Sequence, residues 1–107
     1  MTDKLKFDFE ALGRPFDGIA LYHMLGGDAV VDIELRDTEG REVTKILFHC
    51  NPNFPNYENI NTKSGEELIA RAIELLNSAQ VKVHLDGHIG NPTRMLLRFN
   101  QPELNEI

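Results

Sequence analysis

Apolar and polar residues alternate with a period of two in several parts of the chain, as in β-strands with one buried face. The first such stretch contains Leu5, Phe7 and Phe9. The clearest runs from Asp28 to Cys50, where two β-rich segments flank the turn-forming sequence 37–40. We predict a hairpin there, because a short glycine-containing connection between two alternating runs is typical of one.

The segment between these stretches is harder to assign. Pro15 lacks a backbone donor, so we expect the sequence Gly13-Arg14-Pro15 to interrupt the opening strand. Residues Ile19 to Leu25 are mostly apolar and fit either a strand or two helical turns capped by Asp17. We favour the strand.

The period changes in the second half of the chain. Ser64 and Glu67 form the pattern of a capping box and predict a helix over 64–79, with one broad apolar face. Residues 81–89 alternate again and predict a strand, followed by a tight connection at 90–93 and a return strand over 94–100. Residues 101–107 are expected to be a poorly ordered tail.

This order of elements predicts one mostly β domain over residues 1–107, with a single helix between the third and fourth strands. Five strands with a helix in that position are typical of an OB-like β-barrel. An α+β open antiparallel sheet with one helix is the alternative, and a β-sandwich is a third possibility.

Two segments also resemble OB-fold proteins. The sequence VVDIELRDTEGREVTKILF at 30–48 resembles the strand 2–strand 3 hairpin of OB-fold nucleic-acid binders. The sequence VKVHLDGHIGNPTRMLLRFNQPELNEI at 81–107 resembles the last hairpin of OB-folds related to the middle subunit of replication protein A. This resemblance implies a barrel that binds single-stranded nucleic acid.

A shorter segment is similar to a different family. The sequence LFHCNPNF at 47–54 resembles the sugar-binding strand of galectins, and Asn61 resembles their next site asparagine. Asn53 replaces the arginine of the galectin pattern, and the chain has no tryptophan. Carbohydrate binding is what this second resemblance implies.

The composition limits the possible partners. The net charge of −6 weakens nonspecific attraction to nucleic acid, although residues 81–100 carry Lys82, Arg94 and Arg98 against Asp86 alone.

The single cysteine, Cys50, excludes an intrachain disulfide and suggests a reducing compartment. No apolar run approaches the ~20 residues of a membrane span, and the N-terminus lacks a signal-peptide core. A cytoplasmic protein without membrane association is the simplest interpretation.

The candidate binding residues come from the polar faces of the predicted barrel strands. Arg36, Lys45 and His49 are expected to form a short electrostatic groove, which Arg94 extends from the last hairpin. Phe54 and Tyr57, in the asparagine-rich segment 51–63, offer either stacking faces or anchors that hold this loop to the body. The alternative for the groove is a solvated face, favoured by the neighbouring acids Asp32 and Glu34.

The remaining chemistry-bearing residues are His84, His88 and Cys50. On an extended strand the two histidines would lie about 13 Å apart, too far to bind one zinc ion, so we keep them only as candidate ligand-binding residues. Cys50 alternates with Phe48 toward the core, where a thiol is inert. We therefore predict no enzyme activity, no metal and no cofactor.

The leading hypothesis is a non-enzymatic module that binds single-stranded nucleic acid or an oligonucleotide. The second hypothesis is an acidic protein-interaction or oligomerising module that docks a partner through an exposed strand edge or the asparagine-rich loop.

Overall fold

The computed structural model describes residues 3–91 and 93–100. Its elements, in chain order, are β1 (Lys4–Ala11), β2 (Arg14–Leu25), β3 (Asp28–Arg36), β4 (Glu42–His49), α1 (Tyr57–Asn61), α2 (Gly65–Leu76), α3 (Ala79–Asp86) and β5 (Arg94–Arg98). The predicted tail at 101–107 lies outside the described residues.

The strands form one sheet in the order β1-β2-β3-β4-β5. The first four are antiparallel neighbours, whereas β5 runs parallel to β4. The prediction of a mostly β chain with an α+β character is confirmed. Among the described strands the sheet is open, with β1 and β5 at opposite edges, so the predicted closure into an OB-like barrel is not found. The prediction of a single helix is wrong, because the described residues form three helices.

The antiparallel half follows the alternation in the sequence. The opening strand, the strand interpretation of 19–25 and the hairpin of 28–50 are all confirmed as β1, β2 and the β3–β4 pair. Gly26 and Gly27 connect β2 to β3 with φ angles of 58° and 88°. Two consecutive positive φ angles are what a tight hairpin turn requires, which explains the glycine pair.

The predicted interruption at Gly13-Arg14-Pro15 is wrong in its position. The chain turns at Leu12 and Gly13, and Pro15 lies inside β2 opposite Glu10. β3 pairs with β2 only from Asp17 onward, so Pro15 has no neighbour on that side. Its missing N–H therefore removes no ladder bond, and the strand tolerates it.

Helix α2 begins as predicted. The Ser64 hydroxyl accepts from the backbone N–H of Glu67, and the Glu67 carboxylate accepts from the backbone N–H of Ser64, which completes the capping box. The helix ends at Leu76 rather than continuing to 79. Ser78 then caps a new helix by accepting from the backbone N–H of Val81.

The predicted strand over 81–89 is wrong, because this segment forms helix α3 and the turns that follow it. Val81 and Leu85, four residues apart, are both buried, whereas Val83 is 73% exposed. That burial has the helical period rather than the period of two. Because a helix precedes β5, the last strand enters the sheet parallel to β4 and does not form a second hairpin.

The helices cover one face of the sheet. Inward residues of all five strands form a single apolar cluster with residues of α2 and α3, including Leu68, Leu76 and Leu85. Residues that alternate with them point to the opposite face, on which no described helix packs. That uncovered face carries four of the eight predicted binding residues, namely Arg36, Lys45, His49 and Arg94.

Candidate functional site

The uncovered side of the sheet is here called the open face. Every second residue of each strand points to this side, and these alternate positions are called the outward parity of the strand. On β3, for example, Val31, Ile33 and Leu35 are buried toward the helices, while Asp32 and Glu34 point outward. Neighbouring strands in register extend this parity across the sheet. The open face includes, from β1 to β5, Lys4, Lys6, Asp8, Glu10, Asp17, Ile19, Leu21, His23, Val30, Asp32, Glu34, Arg36, Lys45, Leu47, His49, Arg94, Leu96 and Arg98.

Parallel pairing of β4 with β5 gathers cationic residues at one edge of the open face. Lys45 lies opposite Arg94, and His49 lies opposite Arg98. Leu47 and Leu96 are paired between them and are both half-buried. We call these six residues the basic strip. The sequence predicted three of its four polar members as binding residues, namely Lys45, His49 and Arg94. The fourth, Arg98, was not predicted as a binding residue and is identified by its pairing with His49.

Acidic side chains partly balance these cations. Arg94 Nη1 lies 3.2 Å from Asp32 Oδ1, and Lys45 Nζ lies 3.6 Å from Glu42 Oε1. On β3, Arg36 Nη2 donates to Glu34 Oε1 at 3.0 Å. The cationic side chains of these pairs are 41–45% exposed, whereas Asp32 and Glu34 are 27% and 25% exposed. Such half-exposed pairs contribute little net stability, so a partner can exchange them at small cost.

The predicted cations converge on a shallow concavity of about 410 Å³. Arg36, Lys45 and Arg94 line it together with Lys4 from the far edge of the sheet. Glu34 lies among them, and the Glu42 side chain, Arg36 and Lys45 hold its pKa below the ordinary value. Glu34 therefore stays ionised at neutral pH, and the concavity carries both signs of charge.

His49 is half-buried at the end of β4. Burial lowers its pKa, and the positive charge of Arg98 lowers it further. Its Nδ1 lies 3.2 Å from the carbonyl oxygen of Cys50. His49 is therefore neutral at neutral pH and acts in the basic strip as a hydrogen-bonding group rather than as a cation.

Cys50 follows His49 and is only 2% exposed. Burial, reinforced by the negative charge of Asp28, raises the pKa of its thiol to about 11. The thiolate form is scarce at neutral pH, so this thiol is a poor nucleophile. The prediction that Cys50 faces the core is confirmed.

The two aromatic candidates of the loop, Phe54 and Tyr57, are not among the residues that line the concavity. The Tyr57 hydroxyl donates a hydrogen bond to the Asp28 carboxylate, and this bond raises the pKa of Tyr57. Tyr57 packs partly buried against the core beside Ile60, so Tyr57 has the anchoring role, which was one of its two predicted alternatives. Phe54 is 39% exposed and is the loop aromatic that remains accessible.

The histidine candidates His84 and His88 are not brought together with the other site residues. His84 lies in the last turn of α3, and His88 follows this helix, whereas the basic strip lies on the opposite face of the sheet. In the described ranges, no group of three or more His, Cys, Asp or Glu side chains is placed to hold a metal ion. The structure therefore separates these histidines from Lys45 and Arg94.

Two asparagines of the galectin-like segment have structural partners. The Asn61 side-chain oxygen accepts from the Ala29 backbone N–H at 2.8 Å, and the Asn51 side-chain oxygen accepts from the Asn53 backbone N–H at 3.0 Å. The Asn51 oxygen stabilises the turn after β4, and the Asn61 oxygen links the end of α1 to the start of β3. Sugar hydroxyls would have to compete with these internal bonds.

Asn100 is a structural residue that the sequence did not reveal. Its side-chain oxygen accepts from the Asn51 backbone N–H at 2.9 Å, and its side-chain nitrogen donates to the Asn51 carbonyl at 2.9 Å. Both asparagines are buried. These two hydrogen bonds join the segment after β4 to the segment after β5. They thereby support the parallel pair of strands that carries the basic strip.

Within residues 3–91 and 93–100, none of the helices has the length and apolar character needed to cross a bilayer. No family model, curated protein or solved structure matches the chain. The function is therefore inferred from the geometry and chemistry of the chain's own residues.

Proposed function

We propose that the protein is a non-enzymatic binding module whose basic strip docks an acidic segment of a partner protein. The observation that carries this proposal is the pairing of Lys45 with Arg94 and of His49 with Arg98 around Leu47 and Leu96. A segment that presents carboxylates on both sides of an apolar side chain complements this arrangement. The proposal includes a cytoplasmic location and requires no cofactor.

The chemistry of the open face favours a protein partner over a nucleic acid. All aromatic residues of the five strands point toward the helical layer: Phe7, Phe9, Phe16, Tyr22 and Phe48. Proteins that bind single strands usually stack bases on aromatic rings, each worth about 1–3 kcal/mol. The open face offers leucines in place of such rings.

The acids on the open face also argue for a protein. Asp32 and Glu34 lie in the centre of the sheet, directly beside the cations. A continuous phosphate backbone would meet these carboxylates, whereas a peptide can place its own lysine or amide groups there. Binding of single-stranded nucleic acid stays a prediction, and the experiment below separates it from protein binding.

The position of β5 offers an additional mode of contact. β5 is an edge strand of the sheet, and β4 is its neighbour on the other side. An extended peptide can add to such an edge through backbone hydrogen bonds while its side chains reach the adjacent face. Arg94 and Arg98 would then contact carboxylates four residues apart on the added strand, with an apolar side chain opposite Leu96 between them.

The charge-reversal variants Lys45→Glu and Arg94→Glu should each weaken binding of an acidic peptide. The probe is a fluorescein-labelled peptide that repeats Glu-Ser-Leu-Ser, so that an extended chain presents glutamates on both sides of each leucine on one face. Its binding is measured by fluorescence anisotropy at low salt. We expect Kd to rise about tenfold, corresponding to about 1.4 kcal/mol. Arg71→Glu on the exposed side of α2 makes the same charge change and should leave Kd unchanged.

Three further probes decide the outcome. A matched peptide of lysine and leucine should bind more weakly than the acidic one. No binding of the acidic peptide, or equal binding by Lys45→Glu, would contradict the proposal. Tight binding of oligo-dT or oligo-rU that weakens steeply with salt would instead support the nucleic-acid prediction.

A further inference from the structure

We propose that the free edge of β1 pairs with β1 of a second copy of this chain. The two strands run antiparallel and are related by a twofold axis that passes beside Phe7. The pairing joins two five-stranded sheets into one continuous sheet. It uses the edge opposite to β5 and is therefore independent of the partner site on the basic strip.

The backbone of β1 has the hydrogen-bonding groups that this arrangement needs. Among the described strands, β1 pairs with β2 on one side and forms an edge of the sheet on the other. The Tyr22 backbone N–H donates to the Asp3 carbonyl at 2.9 Å, which identifies the odd-numbered residues as those bonded to β2. The even-numbered residues Lys4, Lys6, Asp8 and Glu10 consequently direct their N–H and C=O groups to the free edge.

The side chains at these even positions are complementary to themselves. Two lysines are followed by two acids along the strand, and all four are exposed. A twofold axis beside Phe7 places Lys4 opposite Glu10 of the second copy, and Lys6 opposite Asp8 of the second copy. Both are hydrogen-bonded pairs of the new ladder, so bonding groups and charges match in the same register.

Other registers are disfavoured by the same charges. A shift by two residues in one direction brings Lys6 opposite Lys6 of the second copy. A shift by two in the other direction brings Asp8 opposite Asp8 of the second copy. A shift by one turns the bonding groups of one strand away from those of the other. The charge pattern thus selects one register out of those available.

The odd-numbered side chains also gain from this pairing. Leu5, which is 46% exposed, lies opposite Phe9 of the second copy, and the two Phe7 rings face each other. The Phe7 ring lies over Gly18 of β2, where an added Cβ would come within 2.4 Å of it. This close packing holds Phe7 on the strand that forms the contact.

The opposite edge of the sheet lacks this complementarity. Antiparallel self-pairing of β5 would set Arg94 opposite Arg98 of the second copy, a contact between like charges. Charged residues on an edge strand are a common means of preventing such pairing. Self-association through β1 also leaves one basic strip at each end of the joined sheet, so the dimer would present two partner sites.

Sedimentation equilibrium over a concentration series tests the pairing on the full chain. We expect a mass that rises from 12.2 kDa toward twice that value. Lys6→Asp and Asp8→Lys each create like-charge pairs and should weaken the dimer about tenfold or more. The double variant with both substitutions restores opposite charges and should recover it. The two single variants, when mixed, should form a heterodimer.

Backbone and charge controls complete the test. Lys6→Pro removes an N–H that points to the free edge and should abolish the dimer while leaving the far-ultraviolet circular dichroism unchanged. Arg41→Asp and Glu39→Lys make the same charge changes in the exposed β3–β4 turn and should have no effect. A monomer at every concentration, or a dimer that Lys6→Asp and Lys6→Pro leave intact, would overturn the proposal.

Discussion

Leu85→Ala is expected to lower the free energy of unfolding by about 2–5 kcal/mol, whereas Val83→Ala should change it by less than about 0.5 kcal/mol. Leu85 is fully buried where α3 packs into the core, and Val83 is 73% exposed on the same helix. Truncating Leu85 removes apolar contacts and leaves a cavity. Truncating Val83 removes a side chain that contacts mainly solvent.

Urea unfolding followed by circular dichroism measures both variants, with the slope of the transition checking that the unfolded states are comparable. This pair distinguishes the helix from the strand that the sequence pattern predicted. In a strand, Val83 and Leu85 would share one face, and both substitutions would cost similar amounts. Equal and large losses at the two positions would therefore contradict the helical assignment of 79–86.

Asn100→Ala is expected to lower the free energy of unfolding by about 2–4 kcal/mol, because it leaves two buried backbone groups of Asn51 without partners. An unsatisfied buried donor or acceptor costs about 1–3 kcal/mol. Asn100→Asp keeps the acceptor for the Asn51 N–H but cannot donate to its carbonyl while ionised. This variant should also be less stable than the parent protein.

The same urea measurement applies to the asparagine series. Asn59→Ala, at an exposed position of α1, is the matched control and should remain within about 0.5 kcal/mol of the parent protein. We also expect the amide of Phe99, which donates to the His49 carbonyl at 2.8 Å, to exchange faster in Asn100→Ala. An unchanged stability would show that water replaces the lost bonds and that Asn100 does not support the β4–β5 pair.

The antiparallel half of the fold was predictable because its local signals agree. Alternation over β1 to β4, the turn chemistry around Gly40 and the glycine pair before Asp28 all specify neighbouring strands joined by short turns. The capping box at Ser64 likewise marked the start of α2. Each of these signals depends on residues close in the sequence, and no distant contact is needed to interpret them.

The segment 81–89 was mispredicted because its apolar residues fit both the period of a strand and the period of a helix. Val81 and Leu85 are four residues apart, a spacing that is compatible with a strand face and with a helix face. Val83 lies between them and completes an alternating pattern, yet it points to solvent. The contacts of this segment with α2 and the sheet determine whether it folds as a helix or as a strand. Ser78, which caps α3, was the local signal that could have indicated the helix.

The candidate site shows the same division between local and distant information. Alternation correctly placed Arg36, Lys45 and His49 on the outward sides of their strands. Their grouping with Arg94 depends on the parallel entry of β5, which follows from the helical crossover. Asn100 gave no recognisable signal, since an asparagine after a strand is common and its partner Asn51 lies 49 residues away.

The most direct test of the basic strip is a chemical-shift map of the ¹⁵N-labelled protein titrated with the acidic glutamate–leucine peptide. We predict that the largest amide shifts occur at Lys45, Leu47, Arg94 and Leu96, and that Lys45→Glu suppresses all of them together. Shifts confined to the helical layer, or to the loop that contains Phe54, would contradict the assignment of the basic strip as the partner site.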